Sequence, residues 1–266
     1  MLKIVGLQLE LRDGRKKENL MKTLNTLKAV ADKEREVDFF CLPELFDTGF
    51  DYTRLNLLAE EIPGETVNAL SLFAEEFGSY IIAGIAEKCK GKIFDSVVLI
   101  SPKGKVLCVY RKTHLFQEEK NHFCSGDTLI VVNIGKYRIG LQICYEIRFP
   151  EISRALTLNG AKIIFTSAAF PLERIDHFML LAKARAVENQ VFHVAVNRVG
   201  LGKGKIYGGR SLIVNPLGDV IAGAGRVENV MVGVVDLNLI DDVRRKITAL
   251  SDRKEEVYGR VRVCVF

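Results

Sequence analysis

The stretch VDFFCLPE (37–44) constrains the fold more than any other part of the chain. Its apolar residues run on with little alternation, so a strand made from it is buried on both faces. Such a strand needs packed material above and below its sheet. KIVGLQLE (3–10) and YIIAGIAE (80–87) read as further strands, and 15–36 reads as a helix with Leu20, Leu24, Leu27 and Ala31 on one face. The segment 66–78 reads as another helix, with Val67, Leu70, Phe73 and Phe77 inward, and 96–112 as a hairpin turning at Pro102 and Gly104.

The second half repeats the mixture. Strands are expected at 129–134, 138–144, 161–167 and 191–197, and helices at 149–159 and 173–190. An all-β stretch follows (205–214, 220–224 and 230–236), with the turn NPLGD between its first two strands, then a polar helix near 239–250 and the tail VYGRVRVCVF. No linker or low-complexity stretch divides the chain. Doubly buried strands and amphipathic helices are both used if two facing sheets are each covered outside by helices. The expectation is an α/β protein of one domain, residues 1–266.

The 266 residues are 48% hydrophobic, enough for a large core, and the net charge of +5 is modest. The short basic runs 15–17 and 244–246 fall in helical segments and read as solvated faces. No basic stripe is interleaved with aromatics, so nucleic acid is not an expected partner. No signal-like N-terminus or membrane-length apolar run is present, so no membrane association is expected. The six cysteines are scattered without a C-x-x-C pair. That fits reduced thiols in a cytoplasmic protein and argues against structural zinc.

Three strand ends carry candidate chemistry. In GLQICYEIRFPE (140–151) a strand pattern runs into Cys144 just before helix-start signals at Pro150 and Glu151. Alone, Cys144 is either a core cysteine or a nucleophile at a strand-to-helix elbow, where a helix dipole would favour the thiolate. Glu44 ends the doubly buried strand and reads either as a solvent-facing residue or as a partly desolvated base. Lys112 ends VLCVYRK and reads either as an exposed lysine or as a cation that polarises a carbonyl. Cys–His chemistry stays open, but none of His114, His122, His177 and His193 has a compelling setting, and His193 reads as core.

CLPELFDTGF (41–50), YRKTHLF (110–116) and GLQICYEIRFPEISRAL (140–156) together resemble the three catalytic blocks of the nitrilase superfamily, the carbon–nitrogen hydrolases. IPGE (62–65), 184–200 and 208–222 extend the resemblance nearly end to end. It implies a four-layer α-β-β-α sandwich. It also implies that Cys144 is the nucleophile, Glu44 the general base and Lys112 the oxyanion stabiliser, with the backbone N–H of Tyr145 as a second oxyanion donor. A further glutamate is implied in EEKNHFCSGD (118–127), where Glu119 has better spacing than Glu118. This sequence departs from the pattern at Asp95, where the family often has Asn, at Ser125 in place of a proline, and in having no Trp.

The expected reaction is hydrolysis of a small linear amide through a cysteine thioester, with ammonia released and no metal or organic cofactor required. The CYEIRFPE flank resembles the ω-amidase and Nit-like members. An N-carbamoyl amidase, a nitrilase and a catalytically silent binding subunit are the alternatives. Phe116 and Phe170 are expected to wall the pocket, and Arg174 or Lys120 to meet an acidic substrate tail. Arg148 and Glu151 read as a structural pair that orients the elbow. A homodimer or larger homo-oligomer is expected, with 239–266 as a C-terminal extension crossing to the partner and VRVCVF (261–266) as an adhesive edge.

Overall fold

A computed structural model of the chain describes residues 1–262. The first half supplies β1 (Leu2–Gln8), α1 (Lys16–Lys33), β2 (Phe39–Cys41), α2 (Leu55–Leu58), α3 (Glu65–Phe77), β3 (Tyr80–Cys89), β4 (Lys92–Ile100) and β5 (Val106–Arg111). Then follow β6 (Val131–Ile134), β7 (Tyr137–Ile143), α4 (Pro150–Leu158), β8 (Ala161–Ala168), α5 (Ile175–Asn189) and β9 (Phe192–Asn197). The last part holds β10 (Val199–Gly202), β11 (Lys205–Gly208), β12 (Leu212–Val214), β13 (Val220–Gly223), β14 (Asn229–Val235), α6 (Asn238–Lys246) and α7 (Glu255–Tyr258).

Two six-stranded sheets form, in the orders β14-β1-β2-β3-β4-β5 and β13-β12-β9-β8-β7-β6. Each has three parallel strands at its centre, β1-β2-β3 and β7-β8-β9, and antiparallel strands on both sides. From β14 to β5 and from β6 to β13 the pairings run antiparallel, parallel, parallel, antiparallel, antiparallel, so the two sheets share one pairing pattern, although β14 comes from the end of the chain.

The sheets face each other. Ile4, Phe39, Ile82, Val97 and Leu99 of the first pack with Ile139, Leu141, Phe165, Val194 and Ile213 of the second in one core. On the outer face of the first sheet, Phe40, Ile81, Ala83 and Val98 meet Leu20 and Leu27 of α1 and Val67, Leu70 and Phe73 of α3. On the second sheet, α4 and α5 supply Ile152, Leu156, Phe178, Ala182 and Ala186. Helix, sheet, sheet and helix therefore stack as four layers, as the resemblance implied.

Three sequence expectations change. The strand at 37–44 is only three residues long, because the chain leaves the sheet after Cys41 and coils through Glu44 with Leu45 at φ +45°. The expected strand 205–214 is two strands in different sheets, broken where Gly209 (φ +62°) and Arg210 (φ +57°) both turn left-handed. A side chain at Gly209 would meet Val199 and Gln8 at under 3 Å, so only glycine fits there. Finally, β10 was not anticipated; it pairs with β11 as a separate hairpin.

Candidate active site

The strand ends of β2, β5 and β7 converge. Glu44, just past β2, and Lys112, just past β5, are both entirely buried. Lys112 Nζ donates to Glu44 Oε1 at 2.6 Å and to Asp95 Oδ2 at 3.0 Å, and it lies 2.8 Å from Glu119 Oε2. The three carboxylates lie within 4.8 Å of one another, with the Lys112 ammonium as the cation they share. Burial alone would depress the Lys112 pKa, but Glu44, Asp95 and Glu119 outweigh it and hold the group well above the usual lysine range. Lys112 is thus a fixed cation. Glu119 sits on a short 3₁₀ turn (Gln117–Asn121), where Oε2 also accepts the Phe116 N–H at 2.8 Å.

Close packing sets the position of Glu44. Gly84 in β3 lies against it so tightly that a Cβ there would come 2.6 Å from Glu44 Cα and 2.7 Å from the Pro43 carbonyl oxygen. The Phe46 N–H then donates to the Gly84 carbonyl at 2.9 Å and closes the turn around Glu44.

Cys144 begins a 3₁₀ turn (Cys144–Arg148) directly after β7, with φ +43°. That left-handed conformation is rare for a residue with a Cβ and costs on the order of 1–3 kcal/mol. Glu146 holds it. This buried carboxylate accepts the Ile143 N–H at 2.7 Å, and the Tyr110 hydroxyl, Thr113 N–H and Thr113 hydroxyl at 2.7 Å each. One side chain so ties the elbow to the segment that follows Lys112. Burial chiefly, and then Glu44, push the Cys144 thiol well above the ordinary cysteine range, against the opposing pull of Lys112. Cys144 therefore rests as a thiol.

Above Cys144 opens a pocket lined by Phe50, Tyr52, Phe116, Tyr145, Phe170 and Tyr207 among others. Arg148, Arg174, Lys203 and Lys205 also line it. Arg174 lies 3.1 Å from Glu173 and 5.1 Å above the Phe116 ring, and Lys203 pairs with Glu118 at 2.6 Å. Arg148 stacks over Phe170 at 5.2 Å and has no carboxylate partner among the described residues.

The carbon-nitrogen hydrolase family model matches residues 4–245. A 2-oxoglutaramate amidase of Bacillus subtilis (strain 168) is 34% identical over 256 residues, 95% of this chain and 97% of the relative. A nitrilase of Pyrococcus abyssi (strain GE5 / Orsay) is 38% identical over 228 residues, 82% of this chain and 85% of the relative. The crystal structure of a carbon-nitrogen hydrolase from Helicobacter pylori G27 superimposes with a TM-score of 0.90 at 25% identity, covering 97% of both chains. The chain belongs to the carbon-nitrogen hydrolase family. It is an enzyme of C–N bond hydrolysis.

In this hydrolase Glu44, Lys112 and Glu119 are in contact, and Cys144 lies close enough for their charges to act on its thiol. Glu119 is buried in the cluster, whereas Glu118 is exposed on the rim. Phe116, Phe170, Tyr145 and Arg174 line the pocket; Lys120 is exposed and does not. His193 is core: burial lowers its pKa to about 4, and its ring meets the Thr166 hydroxyl at 2.7 Å. No histidine lines the pocket.

One open alternative is closed and two expectations are corrected. Lys112 is not an exposed lysine, since its ammonium has no solvent exposure. The helix dipole does not make Cys144 a thiolate: α4 starts only at Pro150, and burial dominates. Arg148 and Glu151 form no ion pair among the described residues; Arg148 turns to the pocket, and Glu146 holds the elbow instead. Asp95, met in the sequence only as a departure from Asn, is part of the charged cluster.

Sequence reasoning passed over Glu146, Tyr52, Lys203 and Lys205. Glu146 sits two residues after Cys144 in an otherwise apolar strand end, a signal that was available. Lys203 lies in the turn between β10 and β11 and Lys205 opens β11, a hairpin that only the tertiary fold brings over the pocket.

Proposed function

We propose that the enzyme hydrolyses the C–N bond of a small linear amide whose far end carries a carboxylate, as an ω-amidase does. The observation that carries this is the unpaired Arg148 guanidinium in the pocket above Cys144, beside Arg174. Glu44, Asp95 and Glu119 already meet Lys112, so that cation is not free for a substrate carboxylate. The 2-oxoglutaramate amidase among the relatives supports the same substrate class.

In the proposed reaction Glu44 accepts the Cys144 proton as sulfur attacks the carbonyl carbon. The C=O electron pair moves onto oxygen, which Lys112 and the Tyr145 N–H stabilise. When the C–N bond breaks, Glu44 returns the proton to nitrogen and ammonia leaves. Glu44 next takes a proton from water, whose oxygen attacks the thioester. The C–S bond breaks and the proton returns to the Cys144 sulfur. Glu119 accepts from Lys112 and holds its ammonium in place. Every proton in the cycle is carried by a side chain, and no metal or organic cofactor is called for.

Two further readings belong with this one. The five described cysteines are all free thiols, which supports a reducing, cytoplasmic setting. No described helix is long and apolar enough to cross a membrane. Exposed apolar residues on α4 and α5 support a homodimer or larger assembly within one domain, residues 1–266, whose segment 239–266 serves as the C-terminal extension.

Ammonia release from a panel of monoamides of small dicarboxylic acids, neutral amides of equal length, carbamoyl amines and nitriles tests the substrate class. The monoamides are expected to have the highest kcat/KM. Arg148→Ala and Arg174→Ala are each expected to raise KM for monoamides while changing neutral amides little. Equal or better kcat/KM for a neutral amide or a nitrile sinks the ω-amidase reading and leaves the Glu44–Lys112–Cys144 chemistry standing.

A further inference from the structure

Three carboxylates touch one ammonium in this site. Glu44, Asp95 and Lys112 have no exposure at all, and Glu119 has 6%. Were all three acids ionised, the cluster would hold more negative than positive charge with no water to screen it. Buried groups in that position take up a proton instead.

The geometry says which one. Lys112 lies closest to Glu44, at 2.6 Å, and next to Glu119, at 2.8 Å. Glu119 also accepts a backbone N–H. Asp95 is farthest from the cation, at 3.0 Å, and its Oδ1 is buried without any hydrogen-bond partner. Glu44 Oε2 is an orphan of the same kind. Oxygens of the two carboxyl groups lie within 4.8 Å of each other, gathered on the one ammonium.

We infer that Asp95 is a neutral acid in the working enzyme and donates a hydrogen bond to Glu44, which positions that carboxylate between Lys112 and Cys144. The inference rests on Glu44 acting as the base. An ionised Asp95 would put a third buried anion on the one ammonium that Glu44 and Glu119 already share. A protonated one turns an orphan acceptor into a donor and keeps Glu44 ionised. It occupies one of roughly four acceptor sites on Glu44, and Lys112 another, so room remains for the thiol proton.

The other titratable groups around Asp95 are Lys112, Glu119 and the Tyr52 hydroxyl; its register partner on β3, Ala86, is uncharged. Burial first, opposed by Lys112 and reinforced by Glu44, holds the Asp95 carboxyl well above the usual aspartate range.

The test needs no substrate, so its failure is distinct from failure of the amide reading. The infrared difference spectrum of native protein minus Asp95→Asn, at neutral pH, is expected to contain the carbonyl stretch of a protonated carboxyl group. A spectrum with carboxylate bands alone overturns the inference. The stability profile gives an independent readout. A native-state carboxyl held above its unfolded range keeps a proton that the unfolded chain has released. Stability therefore falls as pH rises from the ordinary aspartate range, until the native group ionises. Asp95→Asn lacks that slope, so its Tm relative to native protein is expected to climb with pH; a difference independent of pH speaks against the inference.

Rescue supplies the functional arm. Asp95→Asn, which can still donate to Glu44, is expected to keep at least about tenfold more kcat than Asp95→Ala. Equal damage in both variants overturns the positioning role. If Asp95→Asn does not fold, native protein with ¹³C-labelled aspartate carboxyls decides. Asp47 is also buried, and burial raises its carboxyl above the usual aspartate range, so its resonance is assigned with Asp47→Asn; one further resonance must keep the shift of a protonated acid at neutral pH. Its absence sinks the proposal.

Discussion

Lys112 is held by three acids at once, and that determines what its loss does. Lys112→Ala is expected to lower turnover by about 10² to 10³, the scale for losing an oxyanion donor. It also strands buried carboxylates, which costs roughly 3–5 kcal/mol. The variant should therefore unfold well below native protein in a thermal melt, contrary to the mild structural effect expected of an exposed strand-end lysine. A Tm equal to native would contradict this account of the cluster. Cys144 behaves as its burial dictates. It is a thiol at rest, so its alkylation depends on a nearby base rather than on a standing thiolate. Iodoacetamide, itself a small amide, is expected to label Cys144 ahead of buried Cys41. Glu44→Gln should slow that labelling by about 10² while leaving Cys89 and Cys124 unchanged. Peptide mass spectrometry against time measures all four. Undiminished labelling in Glu44→Gln would remove Glu44 as the base.

At the scale of elements, the site depends on how three strands end. β2 stops after three residues, and the chain that leaves it is pressed onto Gly84 of β3. Gly84→Ala would put a methyl group 2.6 Å from Glu44 Cα, so the turn that carries Glu44, the proposed base, must shift. Overpacking of this kind costs about 1–3 kcal/mol. The variant is expected to fold with lowered Tm and to lose far more kcat than stability alone accounts for, as steady-state kinetics below the melting range will show. Native kcat in Gly84→Ala would mean that the position of Glu44 is not critical. The elbow after β7 is visible in the sequence as a strand pattern that meets Cys144 before helix-start signals. Its support is not visible there. Glu146 makes its bonds to Tyr110 and Thr113, more than thirty residues away in the chain, and no local pattern encodes that pairing. The split of 205–214 is local in cause, since Gly209 was readable as a breaker, but the sheet that each half joins was not.

For the whole molecule, α5 turns Leu180 and Val187 outward, 67% and 47% exposed, one face of a helix apart by two turns. Leu158 at the end of α4 and Ile247 after α6 are also exposed, and α7 adds Val257 and Tyr258. An apolar face of this extent is expected to be covered by a second copy. Sedimentation at micromolar concentration should find a dimer or larger, and Leu180→Lys with Val187→Lys should shift it to monomer. Deleting 258–266 should weaken association as well. A monomeric native protein would refute the proposed assembly. The alternating edge read in VRVCVF lies outside the described residues from position 263 onward.

Hydrophobic periodicity, which is local, determined much of the architecture: the apolar faces of α1 and α3 and the doubly buried strands. Those features follow from the backbone period and from side-chain burial, and both can be read within a dozen residues. The tertiary structure alone decided the charge state of the site. Whether Lys112 is exposed or encased, whether Cys144 is thiol or thiolate, and whether Asp95 is a bystander or a member of the cluster all depend on groups brought together across 17 to 68 residues of chain. The physical reason is that burial and neighbouring charge set a protonation state, and both are properties of assembled surroundings rather than of neighbours in sequence.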